Sequence, residues 1–169
     1  MQPFVSRLLL LFLLLLPAAC GAPRPAAYSP PAYGRGSVVA VWDLEDMSVE
    51  SGPVLQEMGE MLTARVMDTL QRGGYVLVER QKLLLALEEL HIGSSSLAGE
   101  RSRLEIGRIV GAQLMVFGGF QRVGEQLRID LRMVEVRSGA VIRTAEQTTR
   151  AADVSGWLKA ADRAAAGLL

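Results

Sequence analysis

Beyond a continuous apolar run close to the start, hydrophobic positions along this chain recur with a period of either two or three to four. Those periods predict its elements. Val38 to Trp42 is a short β-branched and aromatic run, the pattern of a buried strand, and Asp43 through Gly52 reads as a polar loop. Gly52 and Pro53 introduce a helix, because proline fits a first turn where its missing N–H has no helical partner. Leu55, Met58, Met61, Leu62, Val66 and Leu70 then give an apolar stripe at helical spacing, interrupted by charged stems such as Arg65, until Gly73 and Gly74 end it. A second strand is predicted at Tyr75 to Val78. The next helix carries Leu83, Leu84, Leu87 and Leu90 and extends toward Ile92, with a stop at Gly93 and a loop at Ser94 to Ser96. A third helix over Arg101 to Val110 is separated by Gly111 from a strand at Gln113 to Phe117.

The clearest period-two signal follows. Leu127, Ile129, Leu131 and Met133 alternate with Arg128, Asp130 and Arg132, as in a sheet with one covered face. Ser138 and Gly139 predict a tight turn into a hairpin partner at Ala140 to Thr148. Gly118 and Gly119 precede Phe120 and a further strand, and are read as residues that let a strand bend. A last, alanine-rich helix over Val154 to Leu168 places Trp157, Leu158, Ala161, Ala165 and Leu168 near one side, with Lys159, Asp162 and Arg163 left in solvent. Trp157 then either closes the domain's own core or anchors a partner. Helices alternating with strands, then a hairpin, imply an α/β (α+β) three-layer domain with a mixed central sheet flanked by helices.

The apolar run changes the picture of where this domain works. Arg7 is the only charge before Leu8 to Leu16, and the run stops at Pro17, Ala18, Ala19 and Cys20, the order of a secretory signal. It is too short to cross a hydrocarbon core of about 30 Å comfortably. Small residues directly ahead of a cysteine are the pattern of a bacterial lipoprotein signal, in which the cysteine is lipidated and becomes the first mature residue. A plain cleavage leaving an incidental thiol, or an uncleaved anchor, are the alternatives. Residues 1–19 are thus expected to be a signal peptide, Cys20 the lipidation site, and Gly21, in place of the aspartate that retains such proteins at the inner membrane, the sorting residue for the outer membrane. Cys20 is the sole cysteine, so the exported domain has no internal disulfide. From Cys20 to residue 36 the chain reads as a lipidated N-terminus and flexible linker. Pro23, Pro30 and Pro31 sit there among Ala, Gly, Ser and Tyr, with Tyr28 and Tyr33 read as linker residues or a short binding motif. The folded domain is expected over 37–169.

Eighteen basic and eighteen acidic side chains balance to a net charge of +0, and no basic tract gathers them, so nucleic acid is not an expected partner. No catalytic set stands out. His91 is the single histidine, at a helix end beside Leu90 and Ile92, and is read as a cap or partly buried surface residue. Without a second histidine or cysteine no soft-ligand zinc cluster can be assembled from one chain. Asp43, Glu45 and Asp46 lack the spacing of a calcium loop, and Ser48, Ser51 and Ser94 to Ser96 lack a nucleophile-elbow context. No cofactor, metal or small-molecule substrate is expected. Asp43, Glu45, Asp46 and Trp157 remain as candidate partner-binding residues.

Three stretches together resemble the CsgG family of curli-assembly and holdfast-attachment lipoproteins. They are the run from Val38 through Trp42, Asp43, Leu44 and Glu45 to Asp46, then Val76-Leu77-Val78-Glu79-Arg80-Gln81-Lys82-Leu83, and finally Gly107-Arg108-Ile109-Val110-Gly111-Ala112-Gln113-Leu114-Met115-Val116-Phe117-Gly118. The likeness continues through the hairpin around Val134, Ser138 and Gly139. It implies an outer-membrane lipoprotein with an α/β periplasmic domain, in a family whose best-known members form oligomeric secretion channels. Those channels insert long membrane-spanning hairpins before and after the strand corresponding to Leu127 to Val136, whereas this chain has only Gln121 to Gln126 and Val136 to Ala140 available as connections. A spanning strand needs about 9 to 11 residues, so the domain is expected without the barrel. Two functions follow. One is a non-catalytic assembly or scaffold component of an envelope secretion, fibre or motility system, with envelope proteins or further copies of itself as partners and the membrane met through the lipid only. The alternative is an activator of a cell-wall synthase, a penicillin-binding protein, since some outer-membrane activators of these enzymes use a related fold behind a flexible tether. The tether here spans only about 50 Å if each of about 16 residues contributes about 3.1 Å, which ranks the assembly role first.

Overall fold

The computed structural model describes residues 31–49, 52–90, 99–150 and 153–169. In chain order these form β1 (Val38–Val41), β2 (Glu45–Asp46), α1 (Pro53–Arg72), β3 (Val76–Leu77), α2 (Arg80–Glu89), α3 (Glu100–Ile109), β4 (Leu114–Val123), β5 (Gln126–Glu135), β6 (Val141–Arg150) and α4 (Val154–Ala166). The sheet runs β3-β1-β4-β5-β6, with β2 also pairing β4. β1 lies parallel to both β3 and β4, while β4, β5 and β6 form an antiparallel ribbon of three ten-residue strands. This is the expected mixed sheet.

Two apolar layers hold the sheet from either side. On one face α1 contributes Leu55, Met58, Leu62, Val66 and Leu70, and α4 contributes Trp157, Ala160, Ala161, Ala164 and Ala165, against Val39 and Val41 of β1 and Leu127, Ile129, Leu131 and Met133 of β5. The small side chains of α4 bring its backbone close to the sheet. On the other face Leu83, Ala86 and Leu87 of α2 and Ile106 of α3 pack on Ala40, Trp42, Met115, Phe117, Val134 and Val136. The helices flank a central sheet, so the three-layer reading holds.

Several sequence expectations change in detail. Asp43 through Gly52 is not wholly a loop: after Asp43 and Leu44 the chain returns to the same side of β4, so that β1 pairs Leu114 to Val116 and β2 pairs Gly119 and Phe120. Gly118 and Gly119 do not separate one strand from another but sit inside the continuous β4, where each is needed for space. A Cβ on Gly118 would collide with the Asp130 carbonyl oxygen of β5, and one on Gly119 would come within 2.9 Å of the Glu45 carbonyl oxygen. Met61 and Leu84, placed on the buried stripes from spacing, face solvent. The hairpin partner is β6, Val141–Arg150, and not Ala140 to Thr148, because Gly139 and Ala140 close the turn through hydrogen bonds to the backbone of Glu135. The α2 helix ends at Glu89, ahead of Gly93. His91, Gly93 and Ser94 to Ser96 lie outside the described residues, as do Cys20, Gly21, Tyr28 and Ser51.

Candidate interaction surface

The second helical layer is narrower than the sheet, and that mismatch creates the site. The α2 and α3 helices cover β1 and the first few residues of β4, leaving the remainder of the ribbon's face open. Strand alternation then decides which residues are displayed: with Leu127, Ile129, Leu131 and Met133 turned toward α1 and α4, the residues between them project from the uncovered side. Register aligns Arg128 with Thr148, Asp130 with Glu146 and Arg132 with Thr144, while Phe117, Gly119 and Gln121 of β4 complete the rows. An open groove of about 490 Å³ runs across it, lined by Glu45, Met47, Phe117, Gly119, Arg132 and Glu146 among others.

Charge on this face is organised into short-range pairs. Arg128 grips Asp130 through two hydrogen bonds of 2.8 Å each and also reaches Glu146 at 3.0 Å. The hydrogen bond and charge of Asp130 hold the guanidinium pKa above its ordinary range, with a smaller contribution from Glu146. Arg132 lies over the Phe117 ring, 5.6 Å from its centroid. The face combines fixed charges and hydroxyls, with the Arg132 guanidinium closing over the buried Phe117 ring, a polar surface suited to a protein contact.

The three acids singled out from sequence border this face but do not converge. Asp43 takes both nitrogens of Arg80 at the start of α2. Glu45 meets Arg103 of α3 at 2.6 Å, and that guanidinium also covers the Trp42 ring at 5.4 Å. Asp46 accepts the Ser48 backbone N–H, closing a local turn. Their result is a seam that pins the β1–β2 connection to the two helices. Among the described residues no group of three or more His, Cys, Asp or Glu side chains is placed to hold a metal ion. Trp157 is 7% exposed within the α1–α4 core, and Arg122 of β4 covers its ring at 5.4 Å.

Two polar clusters escaped the sequence reading. Glu135 is completely buried, and its carboxyl group accepts the hydroxyls of Tyr33 and Ser138. Arg143 sits close by, donating to the Tyr75 hydroxyl, the Leu168 carbonyl and the Tyr33 carbonyl. The chain is therefore packed from Tyr33, four residues ahead of Ser37. The signal was in the alternation: residues 127, 129, 131 and 133 share a face, and continuing the period puts Glu135 on the buried side. The second cluster is Asp162, expected in solvent. It accepts from Thr69 at 2.8 Å, Arg65 at 3.1 Å and Arg72 at 3.2 Å, tying α4 to α1. Arg65 and Thr69 lie four apart on α1, which brings both to the facing helix.

With this geometry, the comparison with known proteins is decisive for the family. A model of the curli production assembly/transport component CsgG matches residues 31–128, more than half of the chain. The chain belongs to the CsgG family. Solved structures share the fold over a larger part of the chain. The LpoB C-terminal domain from Salmonella enterica superposes with a TM-score of 0.59 at 22% identity, covering 89% of this chain and 95% of that one. The lipoprotein GNA1162 from Neisseria meningitidis gives 0.56 at 13% identity, covering 68% of this chain and 80% of its own. The PelC dodecamer from Paraburkholderia phytofirmans gives 0.52 at 20% identity over 82% of this chain and 89% of that one. At such identities the agreement is one of fold. No curated protein matches the chain in sequence.

Proposed function

We propose that this protein is a lipoprotein anchored at the outer membrane through Cys20, facing the periplasm, and that it works without catalysis as an assembly or scaffold component of an envelope secretion, fibre or motility system. The observation that carries the reading is the match to an assembly/transport component over the core of the domain, on a chain that opens with an apolar run ending in small residues and a cysteine. The ribbon supports a binding role in preference to a pore. β4 and β5 are joined by Gly124 and Glu125 alone, shorter than the sequence expectation, and the positive φ of Gly124 suits such a tight turn. Alternate residues on the open side of β5 are charged, which suits water and protein better than lipid.

The alternative, activation of a cell-wall synthase, requires reach. With Tyr33 docked on Glu135, roughly 12 residues between the anchor and the domain span about 37 Å at about 3.1 Å each. That is less than the linker estimate from sequence and favours partners close to the membrane.

The test is capture from chemically crosslinked envelopes with the tagged full chain, alongside Cys20→Ser. Secretion, fibre or motility components in the wild-type eluate, lost when Cys20→Ser releases the protein from membranes, are the expected result. Recovery of wall synthases instead would establish the alternative, and unchanged membrane association of Cys20→Ser with an unmodified wild-type mass would refute the anchor.

A further inference from the structure

The β6 strand ends the sheet. Among the described residues no strand pairs with its outer side, where the one local feature is Gln147 Nε2 donating to the Thr148 carbonyl at 2.9 Å, whereas the opposite end of the sheet is the two-residue β3. An open edge of ten residues offers a row of backbone donors and acceptors to any extended chain. Its two halves differ. The first carries a register shift opposite Met133 and Val134 and an Arg143 turned inward to Tyr75 and Leu168, both features that blunt edges. The second half, Glu146-Gln147-Thr148-Thr149-Arg150, pairs regularly with β5 and contains no proline, glycine or lysine.

We infer that the second half of β6 is a self-association edge, pairing antiparallel with the same strand of a second copy about a two-fold axis at Thr148. Charge complementarity selects this occupant and this register. Residues directly opposite in an antiparallel pair share a face, so the two-fold must fall on a residue. Centred on Glu146, it would set two like carboxylates against each other. Centred on Thr148, it sets each Glu146 opposite the partner copy's Arg150, both exposed, and the two threonines opposite each other, both favourable cross-strand pairs. An isologous contact of this kind closes at two copies and removes the open edge from both. The chain's own linker is a poor substitute, because Pro23, Pro25, Pro30 and Pro31 interrupt it and proline cannot donate to a ladder.

This deepens the reading of the protein as a scaffold that binds other chains and names one of them as itself. Its test is a charge swap on the full chain in detergent, read by sedimentation and native mass. Glu146→Arg and Arg150→Glu, each alone, should weaken the dimer by about tenfold or more, and the double variant should restore it, with the native circular dichroism spectrum retained throughout. Thr148→Cys should give an intermolecular disulfide that the wild type, with its one cysteine blocked by lipid, does not, since two-fold partners lie within about 5.5 Å. Thr144→Cys should not. A wild type that stays monomeric at every concentration, a double variant no better than the singles, or equal crosslinking at both positions overturns the proposal. Loss of the dimer with envelope partners still captured would leave the scaffold reading standing, and the reverse would remove that reading while keeping the edge.

Discussion

Replacing Trp157 with alanine separates a core role from a docking role more sharply than any other single change. The indole is 7% exposed and packs among the α1 and α4 side chains over β5. A buried tryptophan hides about 200 Å², which at about 25 cal/mol per Å² is close to 5 kcal/mol before alanine's remaining methyl is credited. Truncations of this size cost about 3 to 5 kcal/mol, depending on how far the cavity collapses. Arg122 over the ring adds about 0.5 kcal/mol at its exposed position. Against a total stability of about 5 to 15 kcal/mol, a loss of about 4 kcal/mol should lower the thermal midpoint by about 10 °C. It should move the urea midpoint down by about 2 M at an ordinary slope. Both are read on a form starting at Pro31, which keeps the Tyr33 contact, at a concentration where the wild type is monomeric. Trp157→Phe retains a ring and should lose less than half as much. A midpoint within about 3 °C of wild type, together with loss of self-association or of a captured partner, would refute the packing argument and assign this helix to recognition.

Tyr33→Phe removes a hydroxyl that donates to the buried Glu135. It should cost about 1 to 2 kcal/mol and speed tryptic cleavage at Arg35, two residues on, and an unchanged cleavage rate would show that the contact does not hold this segment. Gly118→Ala puts a methyl on the Asp130 carbonyl oxygen, a backbone atom that cannot rotate away. Urea unfolding should report a loss of about 2 kcal/mol or more, and an unperturbed midpoint would mean that β4 and β5 separate freely there. In planar bilayers the purified full chain should give no discrete conductance, because the ribbon's connections are too short to add spanning strands; reproducible channels without another protein would refute this.

Local periodicity by itself determined much of the architecture. The 3.6-residue stripe of α1, bounded by Pro53 and Gly73, and the alternation of β5 are one-dimensional signals. Each arises because an element that buries one face must repeat apolar residues at its own period. The family, too, was legible in short runs at strand ends. What alternation leaves open is which strands become neighbours and how far each helix extends over the sheet. The return of Glu45 and Asp46 to β4 depends on backbone hydrogen bonds to residues more than seventy positions away, and Gly119 reveals its purpose only when Glu45 lies beside it. Asp162 looked wet because a helix facing water and one facing Arg65 and Arg72 have the same pattern until the second helix is in place. The three acids of the β1–β2 stretch, adjacent in sequence, point to α2, to α3 and back to their own turn, because each finds its partner in a different element. The open face itself is a difference in width between two layers, a quantity that exists only once both have packed.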